Sequence, residues 1–202
     1  IFSDRLIDPV FRTFQAELEN VFEEYNMYQD DVMTHVRQNL FSKLYTGHPY
    51  ERDVIGTPEH LKNPRLSKLI EFYETWYVPN NMALIIVGDF DAEATKPMIE
   101  ETFGRLEYKE LPERPTYPKV SFASNTTHKF KMGYYPMIFW AYDGVKIADE
   151  DALPLQFVLS LLNNSSNTGL LDKLNMDGVV SSVSASLDSR RDQGRILVQA
   201  IP

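Results

Sequence analysis

Four acidic side chains crowded into one stretch, Glu17, Glu19, Glu23 and Glu24, are the residues best placed to do chemistry. Carboxylates in pairs serve general acid–base catalysis and bind hard cations. Around them Phe11, Phe14, Leu18, Val21, Phe22 and Tyr25 recur at helical spacing, which predicts a helix from Asp8-Pro9 onward. Asp8 suits its cap and Pro9 its first position, where no amide hydrogen bond is lost. At about 100° per residue, Glu17 and Glu24 point almost the same way, at the margin of the apolar stripe. Glu19 and Glu23 fall on the solvated face. Glu17 and Glu24 are therefore the pair expected to be half buried, although all four also fit an ordinary solvated face.

Other chemistries are excluded. The 202 residues include no cysteine, which removes disulfides, thiolate metal sites and cysteine nucleophiles together. The nine glycines form neither G-x-G-x-x-G nor a phosphate loop, and no G-x-S-x-G is present. The four histidines stand at 35, 48, 60 and 128, so no helix presents two imidazoles one turn apart to a metal. Each is expected on the surface or in a loop. With 20 basic against 29 acidic residues the net charge is -9, which argues against a nucleic-acid partner. The longest apolar run, Met-Ala-Leu-Ile-Ile-Val at 82–87, is far shorter than the roughly 20 residues that span a bilayer.

The elements that must position these groups follow from periodicity and punctuation. Helices are expected over 31–45, stopped by Gly47-His-Pro49, and over 66–77, ended by Val78-Pro-Asn-Asn81. Residues 82–87 are too short for a helix and rich in β-branched side chains, which predicts a buried strand. Gly88-Asp-Phe-Asp91 opens a helix that Gly104 closes. Leu111-Pro-Glu-Arg-Pro-Thr-Tyr-Pro118 is stiff and proline-rich, the best candidate for a linker. After it come a strand-like aromatic stretch at 129–141 and helices at 153–162 and 169–175. Strands at 179–187 and 196–201 complete the chain, with Arg190-Arg191 expected as loop charge between them.

Three stretches taken in order carry a resemblance. They are Phe14-Gln-Ala-Glu-Leu-Glu-Asn-Val-Phe-Glu-Glu-Tyr-Asn-Met27, Gly47-His-Pro-Tyr-Glu-Arg-Asp-Val-Ile-Gly56, and Phe72-Tyr-Glu-Thr-Trp-Tyr-Val-Pro-Asn-Asn-Met-Ala-Leu-Ile-Ile-Val-Gly-Asp-Phe90. Together with Ala152-Leu-Pro-Leu-Gln-Phe-Val-Leu-Ser-Leu-Leu162 and Gly169-Leu-Leu-Asp-Lys-Leu174, they resemble the pitrilysin/insulinase family of zinc metallopeptidases from about residue 11 to residue 202. The resemblance implies an α+β fold of that type, similar to mitochondrial processing peptidase, with antiparallel-rich sheets and helices packed on one face. It implies Zn2+ held by an H-x-x-E-H motif and by a glutamate on a later helix, the motif's own glutamate acting as base on the bound water. Glu24 matches the distant metal ligand. Glu17, seven positions earlier, matches the carboxylate that supports it.

The departure from that pattern is large, since no H-x-x-E-H occurs in the 202 residues. The histidines and the base are expected upstream of Ile1, and the chain alone is expected to be inactive. Two consecutive domains are expected: 1–110 as the later part of the catalytic domain and 119–202 as the beginning of a homologous one, joined by 111–118. The leading expectation is a fragment of a zinc metalloendopeptidase acting on peptides or unfolded polypeptides; the alternative is a non-catalytic scaffold subunit paired in a homo- or heterodimer. A bacterial periplasmic or other extracytoplasmic setting is compatible with the composition. Smaller candidates are the acceptor sequons at Asn125 and Asn164, and the aromatic residues Tyr134, Tyr135, Phe139, Trp140 and Tyr142, which can line a peptide channel or simply pack.

Overall fold

Capping side chains decide where several helices of this chain begin. The computed structural model describes residues 1–131, 133 and 135–202. Its helices are α1 (Phe2–Ile7), α2 (Phe14–Gln29), α3 (Val32–Leu44), α4 (Pro58–Lys62), α5 (Leu66–Trp76), α6 (Ala92–Phe103), α7 (Ala152–Leu162) and α8 (Leu170–Met176). The strands are β1 (Ile138–Asp143), β2 (Ser182–Ser189) and β3 (Gly194–Ile201). The Asp31 carboxylate accepts from the N–H groups of Met33 at 3.3 Å and Thr34 at 2.8 Å, which starts α3. Asp91 accepts from the Ala94 N–H at 2.8 Å and starts α6. Each satisfies backbone donors that a helix leaves free in its first turn.

The first helix departs from expectation. Asp8 lies at the end of α1, its N–H donating to the Asp4 carbonyl at 2.9 Å, and α2 starts only at Phe14. Pro9 disfavours helical backbone at the residue before it, so the chain turns there and the apolar repeat is split.

The chain divides into two compact units. The first comprises residues 1–27 and 55–115. In it, Tyr73 donates its hydroxyl to the Leu6 carbonyl at 2.8 Å and meets Phe11 edge-to-face at 5.8 Å. Arg105 bonds the Asp4 carboxylate at 2.5 Å. Asn81 closes α5 by donating to the Trp76 carbonyl at 2.9 Å, and its own carbonyl accepts from Arg114 at 3.0 Å.

Residues 82–87 form no strand. They follow the Pro79–Asn81 turn, and Ile85 and Val87 are 81% and 91% exposed, not buried. A strand exists only with a ladder partner, and no described residue pairs with this run.

The second unit comprises residues 28–54 and 116–202, so the proline-rich 111–118 stretch contains one of the steps between units. Its antiparallel sheet has the order β1-β3-β2, with Trp140 opposite Val198 and Val198 opposite Ala185. Because side chains alternate along a strand, this register gathers Ile138, Trp140, Tyr142, Val183, Ala185, Leu187, Ile196, Val198 and Ala200 on one face. Helices α7 and α8 pack against that face on the β2 side, giving the expected α+β class. The same alternation turns Asp143, Asp188 and Arg195 to the opposite face. β1 begins only at Ile138, after Pro136, so it is shorter than the expected 129–141. Among the described residues no helix is long and apolar enough to cross a membrane.

Candidate metal centre

Helix α2 carries both singled-out carboxylates without interruption. Leu18, Val21, Phe22 and Tyr25 form its half-buried side, and Glu17 and Glu24 are both exposed, where half-burial was expected. Glu17 stands in the first turn, its N–H donating to the Thr13 carbonyl at 2.9 Å; a negative side chain there is favoured by the helix dipole. Glu19, on the solvated face, accepts from Gln15 at 3.1 Å. Glu24 stands seven positions after Glu17, about 10 Å of helical rise, which places the two carboxylates two turns apart on the helix.

A catalytic zinc needs three protein ligands around one point. Among the described residues no three histidine or carboxylate side chains gather closely enough to hold a metal ion. The residues present therefore do not make a zinc site by themselves, and no chemical step is derived through one. Three of the four histidines, His35, His48 and His60, are engaged in local structure. His35 bonds the Gln29 carbonyl through Nε2 at 2.7 Å, and His60 Nδ1 accepts from the Thr57 N–H at 3.3 Å. His48 lies in the loop after α3, as a surface or loop position was expected for each histidine, but it is buried there, 2% exposed. Its Nδ1 accepts from the Tyr50 N–H at 3.2 Å, which leaves Nε2 to carry the proton.

The polar cluster that the sequence did not announce lies in the second unit. Arg195 is fully buried and donates to Asp143 at 2.8 Å, the Leu44 carbonyl at 2.8 Å and the Val120 carbonyl at 2.6 Å. Its guanidinium lies over the rings of Phe122 and Tyr45 at 4.6 and 5.0 Å. Tyr45, also fully buried, donates to Asp188 at 3.0 Å. Burial, and then the Asp188 carboxylate, push its phenol far above the ordinary tyrosine range. Tyr50 exchanges hydrogen bonds with Asp192, donating at 3.0 Å and accepting from the Asp192 N–H at 3.2 Å; burial raises its phenol too. Arg190 lies in the loop between β2 and β3, as expected, and there pairs with Asp188 at 2.9 Å and stacks over Phe41 at 4.5 Å and Tyr50 at 5.1 Å. Neutral phenols and paired guanidinium groups make this a clamp that holds the end of α3 to the sheet. An arginine at the head of β3, directly before Ile196-Leu-Val198, was the signal that could have revealed it, since arginine is almost never fully buried without partners.

The remaining candidates separate. β1 alternates, so Trp140 and Tyr142 line a cleft of about 270 Å³ with Leu171, Leu174, Val183 and Val198, whereas Phe139 faces the other way. Tyr134 lies outside the described residues. The Asn164 side chain is occupied as a turn former, accepting from the Ser166 N–H at 3.0 Å and donating to the Ser160 carbonyl at 3.1 Å.

Comparison with known proteins places this geometry. The family model "Peptidase M16 inactive domain" matches residues 65–202, leaving α2 outside its span. The uncharacterized zinc protease YmfH of Bacillus subtilis (strain 168) is 35% identical over 112 residues, 54% of this chain and 26% of that protein. The crystal structure of the periplasmic protease PqqL from Escherichia coli aligns with a TM-score of 0.75 at 20% identity, over 99% of this chain and 23% of its own. That of pitrilysin aligns with a TM-score of 0.71 at 18% identity, over 96% of this chain and 22% of its own. At such identities the structures speak for the fold, and the chain spans about a quarter of the length of YmfH. With most of its length matched by that family model, the chain belongs to the peptidase M16 family, the pitrilysin/insulinase type of zinc protease.

Proposed function

We propose that this chain is a stretch of a zinc-dependent metalloendopeptidase, in which Glu24 supplies one carboxylate ligand and Glu17 steadies it. The observation that carries the proposal is the placement of both on one unbroken helix, on its accessible side. The imidazole ligands and the general base come from outside these residues, and the substrate is a peptide or unfolded polypeptide. A boundary near 111–118 between two homologous domains, a dimeric assembly and an extracytoplasmic bacterial setting belong to the same proposal; the likeness to a periplasmic protease supports the last.

A second reading is favoured by one observation. The matching family model is that of an inactive domain and does not reach Glu17 or Glu24, as suits a non-catalytic scaffold subunit. One experiment separates the two. In the whole protein, Glu24→Gln is expected to lower zinc content and peptide hydrolysis together by at least tenfold, and Glu17→Gln to lower both more mildly. Unchanged zinc and turnover in Glu24→Gln would remove the ligand assignment, whereas a whole protein that holds no zinc and hydrolyses no peptide would favour the scaffold.

A further inference from the structure

We draw no further inference here: the strongest candidate, the apolar cleft of the second unit between Trp140 and Tyr142 of β1 and helix α8, continued by the outward Leu153, Phe157 and Leu161 of α7, carries nothing because nothing in the structure shows what covers it.

Discussion

A buried guanidinium is costly unless its donors find partners, and Arg195 spends its two terminal nitrogens on one carboxylate and on the carbonyls of Leu44, Val120 and Gly194, while its Nε has no hydrogen-bond partner among the described residues. Replacing it by methionine keeps the stem and removes the donors, leaving buried acceptors unpaired. Arg195→Met is expected to cost about 3 kcal/mol, seen as a lower urea midpoint followed by circular dichroism. Tyr45→Phe removes one hydroxyl while Asp188 keeps Arg190, and is expected to cost about 1 kcal/mol. Equal losses in the two variants would mean that the guanidinium is not what fastens α3. At this scale the sequence was only partly legible. The helical wheel could single out Glu17 and Glu24 because it is local geometry, but it placed their exposure wrongly. It could not see the burial of Arg195, whose partners Leu44, Val120 and Asp143 lie scores of positions away, or that of His48, which packs on Tyr117 as well as on its neighbours Tyr45 and Tyr50.

Elements with local causes were the readable ones. Helices α3, α5, α6 and α7 begin and end within a few residues of their punctuation, since a cap and an apolar stripe are written within the element itself. α8 has its own device. The Asp172 carboxylate accepts from the N–H groups of Asn164 at 3.0 Å and Gly169 at 2.8 Å, and from the Asn163 amide. These bonds, that of Asn164 foremost, hold the carboxyl below the usual aspartate range against the opposing effect of burial. A depressed folded value stabilises the chain above the unfolded value of about 3.9 and is lost as pH falls through the folded value. Thermal melts should therefore show Asp172→Asn less stable than wild type at pH 7, with the gap narrowing steadily below about pH 4. A pH-independent gap would contradict the assignment. Residues 82–87 mark the opposite case, where strand propensity was plain and strand formation depended on a partner. Their exposed apolar side chains predict self-association of the 202-residue chain. Ile85→Lys is expected to reduce light scattering at high concentration without lowering the melting temperature.

For the molecule as a whole, the acidic charge argued against a nucleic-acid partner, no apolar run was long enough for a membrane-spanning helix, and motif order pointed to the family. What it could not give was the return of residues 28–54 to the sheet formed by residues after 137, because no periodicity records a contact at that separation. The metal argument also belongs here. Equilibrium dialysis of the 202-residue chain against micromolar zinc is expected to show well under one bound ion per chain, since no described trio of ligands converges. Stoichiometric uptake would reveal a site of a different composition.

The bond between Arg195 and the Leu44 carbonyl joins positions 151 apart. A ribosome adding roughly 5–20 residues per second needs on the order of ten to thirty seconds to cover that interval. Throughout it, the nascent segment bearing Phe41, Tyr45, His48 and Tyr50 emerges with its ring-stacking cations still untranslated. A message truncated before the codon for Arg190 would release a polypeptide whose aromatic hook never finds its eye.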